Sequence, residues 1–211
     1  MARSDVYIVR TGTANVASVA AAMTRLNMNP CMTSDASEVS TSPLLILPGV
    51  GTLAAAMAGM RERDLIVPLR DRLEKGMPTL AICLGMQLFC EESEESPDVK
   101  GLGLIGSRID RFPDEVRVPQ LGWNRIDPDP SCRMLLPGHC YFANSYRLQR
   151  PVAGWATAMS DYGGPFVAGM EKGAVLACQF HPELSGELGL RIIGRWLELS
   201  MRYHAEGGIS C

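Results

Sequence analysis

Residues 79–87 carry the sequence TLAICLGMQ, in which a short apolar run leads directly into Cys83 and a segment predicted to be helical. The run at residues 79–82 is typical of a strand that is buried on both faces of a sheet. A sharp turn between such a strand and a helix exposes the side chain at its tip, and the small residues Ala81 and Gly85 relieve crowding there. The stretch therefore predicts a parallel α/β sheet with a cysteine at the carboxyl end of one strand.

The first half of the chain alternates strand and helix signals around this stretch. Its other predicted elements are strands over residues 6–9 and 44–47 and helices over residues 15–26 and 65–75. Asn15 is a suitable N-cap for the first helix, and Gly76 suits the left-handed position after the second. Strands and helices that alternate in this way form parallel sheets with right-handed crossovers.

The second half has less helix between its strands. Strands are predicted over residues 141–142, 155–159, 166–170 and 174–180, with a hairpin turn at residues 171–173 and a closing helix over residues 187–201. A hairpin turn joins antiparallel neighbours. The sequence therefore predicts one domain over residues 1–211: an open, mostly parallel sheet with helices on both faces and an antiparallel extension.

The composition indicates an ordinary folded protein. Hydrophobic residues make up 46% of the chain and charged residues 20%, a balance that argues against disorder. The formal net charge is −3, and the lysines and arginines are scattered, so we expect no nucleic-acid partner. No apolar stretch approaches the roughly 18 residues that a membrane-spanning helix needs, so we expect no membrane partner either.

The seven cysteines indicate a reducing environment. Their number is odd, they form no CxxC pair, and the first residues lack the apolar core of a secretory signal. Reduced thiols of this kind are typical of cytoplasmic proteins. We therefore expect a cytoplasmic protein in which most cysteines are small buried apolar residues, while Cys83 is a candidate nucleophile.

His181 is the candidate base for Cys83. It follows a predicted strand within residues 179–183, QFHPE, where Pro182 ends the strand and stiffens the turn. A cysteine nucleophile needs a base, and a neutral imidazole needs an acceptor on its other nitrogen, which Glu183 can supply. Taken alone, Cys83 could equally be a nucleophile or a buried structural cysteine. A single histidine at the end of a strand is more often an ordinary surface or core residue with its hydrogen bonds satisfied. A strand-end cysteine together with a strand-end His-Pro-Glu is far rarer than either part.

Together with three further motifs, these segments resemble the class I glutamine amidotransferases. The motifs occur in the family's order at residues 47–51 (LPGVG), 82–87 (ICLGMQ), 121–124 (LGWN), 141–146 (YFANSY) and 179–183 (QFHPE). The cysteine and His-Pro-Glu motifs are specific for the class. The other three are most similar to those of the glutaminase subunits of imidazole glycerol phosphate synthases, and the resemblance covers nearly the whole chain.

The resemblance implies a role for each matching residue. Cys83 is expected to be the nucleophile, His181 the base and Glu183 the group that orients it. The backbone N–H groups expected to bind the oxyanion are those of Val50, Gly51 and Leu84. The residues expected to bind the substrate glutamine are Gly51, Gln87, Glu95, Ser145 and Tyr146. For Glu95 the alternative is an ordinary place in the acidic surface run at residues 91–95. Neither a metal nor an organic cofactor is implied.

The resemblance also implies a reaction and a partner. Such subunits hydrolyse glutamine and pass the ammonia to a (β/α)8-barrel cyclase, with which they form a heterodimer. The pair makes imidazole glycerol phosphate and AICAR in histidine biosynthesis. The alternatives are a glutaminase that feeds a different synthase, for example one making a surface-sugar amidine, a free-standing hydrolase of γ-glutamyl bonds, or a non-catalytic regulatory subunit. The intact Cys, His and Glu set favours an enzyme.

Several residues depart from the family pattern without touching that set. Ala81 replaces a common glycine before the cysteine. Gln120 and Leu121 replace a usual His-Met pair, and Asn144 replaces a usual histidine. Residues 9–15 also differ from the usual Asp-Tyr-Gly-x-Gly-Asn. Positions 120 and 144 fall where the family faces its partner or the product path, so these two changes keep the alternative of a different synthase open.

Overall fold

The computed structural model describes residues 3–11 and 16–205. Twelve strands lie in this described part: β1 Asp5–Val9, β2 Asn29–Thr33, β3 Leu45–Gly49, β4 Thr79–Cys83, β5 Cys90–Ser93, β6 Ile105–Arg111, β7 Gln120–Pro128, β8 Gly138–Asn144, β9 Tyr146–Arg147, β10 Ala156–Asp161, β11 Pro165–Lys172 and β12 Val175–Cys178. The α-helices of the same ranges are α1 Val16–Arg25, α2 Ala36–Thr41, α3 Leu53–Glu62, α4 Ile66–Glu74, α5 Leu84–Gln87 and α6 Gly186–Ala205. A 3₁₀ turn at Pro182–Leu184 precedes the last helix.

Nine of the described strands form one sheet in the order β2-β1-β3-β4-β12-β11-β10-β7-β8. The first five strands of that order run parallel to one another. Each later neighbour is antiparallel, and a tight turn at Gly173, whose φ is 57°, joins β11 to β12. The predicted parallel α/β sheet with an antiparallel extension is confirmed.

Helices cover both faces of the parallel strands. In β4, Leu80 and Ile82 belong to a core shared with α1 and α6, whereas Ala81 belongs to a core shared with α2, α3 and α4. Every residue of β3 and β4 is buried. This two-sided burial explains why these strands have continuous apolar runs instead of alternating patterns.

The strongly apolar elements agree with the predicted ones to within a few residues. The helix predicted over residues 65–75 spans Ile66–Glu74, and Gly76 follows it with a φ of 65°. The last helix extends beyond the predicted residues 187–201 at both ends. The predicted N-cap Asn15 lies outside the described residues. None of the helices in the described ranges is long and apolar enough to cross a membrane.

Several elements of the structure are absent from the predicted set: β2, β5, β6, β7, β9, α2 and α3. Strand β7 shows the reason. It is exposed or half-exposed at most positions and contains glycine, asparagine and proline, which disfavour strands. Its pairing with β8 and β10 overrides that local preference. Within the described residues, β5, β6 and β9 form a second, three-stranded sheet.

A buried arginine ties together the amino ends of the parallel strands. The Arg72 guanidinium, in α4, donates to the carbonyl oxygens of Ser42 and Pro78, each at 2.7 Å, and of Val39 at 3.1 Å. It also donates to the Thr79 hydroxyl at 3.0 Å. Burial lowers the pKa of Arg72 to about 10. One side chain therefore fixes the end of α2, the end of α4 and the start of β4.

Replacing Arg72 with leucine should lower the free energy of unfolding by about 2–4 kcal/mol, because several buried acceptors lose their donor. Urea denaturation measures this change. The matched control is Arg70→Leu in the same helix, where the exposed Arg70–Glu74 pair at 3.0 Å contributes little. Equal destabilisation by the two substitutions would show that the Arg72 hydrogen bonds are not stabilising.

Candidate active site

Three parallel strands end beside one another at the carboxyl edge of the sheet. β3 ends at Gly49, β4 ends at Cys83, and β12 leads into His181. The register pairs Gly49 with Cys83 on one side of β4, and Cys178 with Ile82 on the other. Ligand sites of open α/β sheets lie at this edge. The structure therefore places the predicted nucleophile and the predicted base together.

The backbone turns sharply at Cys83, between β4 and α5. Its φ and ψ are 55° and −111°, a conformation that residues other than glycine rarely adopt. The turn brings Gly85 against β3, where a Cβ on Gly85 would lie 2.0 Å from the Leu47 carbonyl oxygen, so only glycine fits. Ala81 is fully buried in the core on the side of α3 and α4, and the sheet accommodates its methyl group.

The helix after Cys83 is shorter than the sequence suggests. α5 is a single turn of four residues, Leu84–Gln87. The partial positive charge at its amino end is therefore small, so a helix dipole contributes little to activating Cys83. The local donor remains: the N–H of Leu84, at the first helical position, has no acceptor within its own helix. An N–H beside the sulfur in this position suits an oxyanion.

His181 and Glu183 form a buried pair. The imidazole Nδ1 lies 2.9 Å from Glu183 Oε1, and the two side chains are 10% and 4% exposed. Because Nδ1 is engaged by Glu183, Nε2 is the nitrogen available to Cys83. Burial alone would lower the pKa of His181, but hydrogen bonds and negative charge from Cys83 and Glu183 outweigh it and raise the pKa to about 10.

The backbone of His181 is held by strand β8. Its N–H donates to the Tyr141 carbonyl at 2.8 Å, and its own carbonyl accepts from the Ser185 hydroxyl at 2.6 Å. The Tyr141 N–H donates in turn to that hydroxyl at 2.9 Å. Ser185 therefore helps to fix the position of the imidazole, although no sequence pattern gives it a role.

The residues predicted to bind substrate line one pocket with the predicted nucleophile. The pocket has a volume of about 140 Å³, and its walls are formed by Val50, Gly51, Cys83, Leu84, Gln87, Glu95, Ala143, Asn144, Ser145 and Tyr146. A second pocket of about 260 Å³ holds His181 and Glu183 and shares Val50 and Ala143 with the first. Every predicted site residue thus lies at this edge of the sheet, around two adjoining pockets.

Hydrogen bonds hold the side chains of Gln87 and Glu95 in position in the first pocket. Glu95 Oε2 accepts from the Leu53 N–H at 3.0 Å, at the start of α3. Gln87 Nε2 donates to the Tyr146 carbonyl at 3.2 Å and to Gln179 Oε1 at 2.8 Å. Glu95 is half-buried and lines the pocket, so it is more than a member of an acidic surface run, although it also stabilises the start of α3.

The family model described as glutamine amidotransferase class-I matches residues 11–195. The chain belongs to this family.

Two relatives named imidazole glycerol phosphate synthase subunit HisH match the chain over most of its length. The one from Oceanobacillus iheyensis is 37% identical over 198 residues, which are 92% of this chain and 98% of that protein. The one from Xylella fastidiosa is 39% identical over 202 residues, which are 93% of this chain and 98% of that protein.

Two solved structures resemble the fold. A structure described as a glutamine amidotransferase has a TM-score of 0.74 at 22% identity and covers 93% of this chain and 99% of its own. PurLQS from Thermotoga maritima has a TM-score of 0.70 at 14% identity and covers 96% of this chain and 99% of its own. At these identities the likeness shows the fold of class-I glutamine amidotransferases and nothing finer.

Two residues reach the site although the sequence pattern assigns them no role there. Gln179 Nε2 lies 3.7 Å from Cys83 Sγ, and Asn144 Nδ2 donates to the Tyr146 carbonyl at 3.0 Å. A signal for Gln179 is its polar side chain inside the apolar run at residues 174–180. For Asn144 the signal is its departure from the histidine that is usual in the family.

The two departures Gln120 and Asn144 are neighbours in the structure. They are paired across β7 and β8, and both are buried. Within the described residues, Gln120 Oε1 and Asn144 Oδ1 have no hydrogen-bond partner. Asn144 also lines the pocket that contains Cys83. Two unpaired acceptors therefore belong to the edge of the site in this member of the class-I family.

Nowhere in the described part of the chain do three or more His, Cys, Asp or Glu side chains come close enough to hold a metal ion. A larger pocket, of about 530 Å³, lies at the opposite end of the sheet, where β4 and β12 begin. Its walls include Gly76, Trp155 and Val175 and contain none of the predicted site residues. The predicted site residues line the two smaller pockets, so the size of a pocket does not locate them.

Replacing Glu183 with glutamine should lower the pKa of His181 below its value of about 10, because the amide accepts a hydrogen bond but carries no charge, while the contribution of Cys83 remains. Proton NMR of the imidazole signals as a function of pH measures this shift. Glu187→Gln removes the same charge from an exposed position in the first turn of α6 and should leave His181 unchanged. An unshifted His181 titration in Glu183→Gln would contradict the role given to Glu183.

Proposed function

We propose that the chain is the glutaminase subunit of an imidazole glycerol phosphate synthase and supplies ammonia for histidine biosynthesis. The observation that carries the proposal is the set of Cys83, His181 and Glu183 at the sheet edge. It occurs in a chain that matches HisH relatives at 37% and 39% identity over 92% and 93% of its length. We propose further that residues 1–211 act as a single cytoplasmic domain that uses neither a metal nor an organic cofactor.

The first half-reaction transfers the γ-glutamyl group to Cys83. The thiolate attacks the side-chain amide carbon of glutamine, and a C–S bond forms as the carbonyl oxygen becomes an oxyanion. Backbone N–H groups of Val50 or Gly51 and of Leu84 stabilise that oxyanion. Protonated His181 gives its proton to the amide nitrogen, the C–N bond breaks, ammonia leaves, and a glutamyl thioester remains.

The second half-reaction hydrolyses the thioester. Neutral His181 takes a proton from water while the water oxygen attacks the thioester carbon. The C–S bond then breaks and glutamate is released, with the water oxygen in its γ-carboxyl group. Cys83 returns as a thiolate beside protonated His181. Glu183 orients the imidazole in both halves, and its charge favours the protonated form.

Substrate glutamine is proposed to lie in the pocket of about 140 Å³, with its amide toward Cys83. Glu95 supplies the negative charge that suits the α-ammonium group of an amino acid. The Gln87 amide and the backbone at Ser145 and Tyr146 supply polar contacts to the same end of the substrate. These groups come from separate segments of the chain, so the pocket depends on how the whole sheet edge is packed.

An apolar surface beside the site is proposed to bind the (β/α)8-barrel cyclase and so form a heterodimer. Leu121, Trp123 and Leu184 are 61%, 58% and 41% exposed. Leu184 lines the pocket of His181, and Trp123 packs on Tyr141, another residue of that pocket, with 6.2 Å between ring centroids. Large apolar side chains exposed together favour an interface. A cyclase bound here would cover the exit from the site and receive the ammonia directly.

A glutaminase that serves a different synthase is the second candidate. The unpaired oxygens of Gln120 and Asn144 favour it, since these residues replace usual histidines of the family beside the pocket. A non-catalytic subunit is less consistent with the buried His181–Glu183 pair. Assembly with a histidine-pathway cyclase and its acceptor separates the candidates, because only the proposed synthase makes imidazole glycerol phosphate and AICAR from glutamine.

Cys83→Ala should abolish synthesis from glutamine while synthesis from ammonium salts continues, because the acceptor site lies on the cyclase chain. Both rates are measured on the assembled pair. Cys90→Ala is the control, since Cys90 is also buried but lies in the core behind the site. Glutamine turnover that survives in Cys83→Ala would overturn the assignment of the nucleophile.

Glutamine hydrolysis is expected to be switched on by the partner, because ammonia released without an acceptor is wasted. Val50 borders both pockets, and Gly51 has a φ of 90°, so the peptide between them can rotate at little steric cost. Turning one N–H into the site would add a donor worth about 10²–10³ in rate. The glutaminase rates of the subunit alone, with cyclase, and with cyclase plus acceptor measure this switch.

Gly51→Pro should flatten the activation, because proline holds φ near −65°. Gly49→Pro is a poorer probe than Gly51→Pro, since a Cβ at Gly49 would lie 2.8 Å from the Leu84 Cβ and disturb the turn at Cys83. Full glutaminase activity in the isolated subunit would contradict the switch. Such activity would indicate that these glycines only allow the chain to turn tightly after β3.

A further inference from the structure

Gln179 lies level with Cys83 on the neighbouring strand. β12 and β4 are parallel, and their register pairs Cys178 with Ile82, so the next residues in the two segments are Gln179 and Cys83. Gln179 is fully buried, and its N–H donates to the Ala168 carbonyl at 2.8 Å. The backbone therefore fixes Gln179 within reach of the sulfur.

The hydrogen bonds around Gln179 determine which end of its amide faces Cys83. The Tyr146 carbonyl can only accept, so Gln87, 3.2 Å away, must present its NH2 group to it. The same NH2 group lies 2.8 Å from the Gln179 side chain, which must therefore present its oxygen. The NH2 group of Gln179 is then left facing Cys83 Sγ, at 3.7 Å.

We propose that Gln179 is a positioning residue that donates a hydrogen bond to the Cys83 thiolate and holds the Gln87 amide in place for substrate. The substrate half of this inference rests on the proposed glutaminase function. The sulfur then lies between two donors, the His181 imidazole and the Gln179 amide. A hydrogen bond to an ionised acceptor is stronger than one to a neutral acceptor, so Gln179 favours the thiolate.

One side chain thereby connects the nucleophile with the substrate pocket. The Tyr146 carbonyl that orients Gln87 accepts a second hydrogen bond from Asn144, at 3.0 Å, which fixes it from two directions. The side chains of Gln87, Asn144 and Gln179 are buried, so water does not replace a lost hydrogen bond between them. Removing the Gln179 amide should therefore affect the sulfur and the substrate contact together.

Gln179→Met keeps the approximate side-chain volume and removes both hydrogen bonds. Alkylation of Cys83 by iodoacetamide over a range of pH, followed by peptide mass spectrometry, measures the reactivity of the sulfur. We expect about tenfold slower alkylation at neutral pH, and a rate that rises at a higher pH than in the unmodified chain. The titratable groups around the sulfur in the described residues stay unchanged in this variant: His181, Glu183, Glu95 and Tyr146.

The kinetic constants supply a second readout in the complex with the cyclase. Gln179→Met should raise the KM for glutamine about threefold or more, because Gln87 loses an acceptor, and it should also lower kcat. An amide with a merely structural role would lower thermal stability and leave the pH profile of alkylation unchanged. An unchanged profile overturns the proposal.

Two further variants keep the test decisive. Gln149→Met is the control for the substitution itself, since it replaces an exposed amide that lines neither pocket by the same side chain and should alkylate like the unmodified chain. Gln179→Asn covers the case in which the methionine variant does not fold, because it keeps an amide that is one methylene too short for both partners. It should also slow alkylation, and an unchanged pH profile in Gln179→Asn overturns the proposal.

The proposed function and the role of Gln179 fail separately. If the unmodified subunit makes no glutamate with cyclase and acceptor, the glutaminase function fails, while the alkylation comparison still decides whether Gln179 acts on the sulfur. If the subunit is an active glutaminase and the Gln179 variants alkylate like it, the role of Gln179 fails alone.

Discussion

The close contact between Gly85 and strand β3 is the constraint on which the site depends. A Cβ at Gly85 would lie 2.0 Å from the Leu47 carbonyl oxygen, so only glycine lets α5 begin directly after β4. That beginning requires a φ of 55° at Cys83, a conformation that costs roughly 1–3 kcal/mol. The buried strands on either side hold the strained turn, and the turn directs the thiol to the pocket instead of the core.

The register of the parallel strands then determines what surrounds the sulfur. On one side of β4, β12 places Gln179 level with Cys83 and leads on to His181. On the other side, β3 pairs Gly49 with Cys83, and Val50 is the next residue. β8 holds the backbone of His181 through Tyr141. Because Cys83, Gln179 and His181 are buried, their hydrogen bonds act in a medium of low dielectric constant, where they are strong. The site is a property of three strand ends together.

Those parts of the site that lie in local motifs could be predicted from the sequence. Cys83 comes directly after an apolar run, which predicts its place at the end of a strand. Glu183 is two residues from His181, which predicts that these two side chains lie close together. The contact of Gln179 with Cys83 could not be predicted, because it joins residues 96 positions apart through the register of β12 and β4. The length of α5 could not be predicted either, because the helix ends where the chain turns to form β5, and β5 is stabilised by pairing with the distant strand β6. The residues of β7 locally disfavour a strand, and it forms because it pairs with β8 and β10.

Covalent trapping with a chloroketone analogue of glutamine, followed by peptide mass spectrometry, tests the assignment of Cys83 most directly. The analogue places an electrophilic carbon near the position of the substrate's amide carbon. We expect a single label per chain, on Cys83, with glutaminase activity lost in proportion to labelling and with protection by glutamine. Labelling of a different cysteine, or glutaminase activity that survives complete labelling of Cys83, would contradict the assignment.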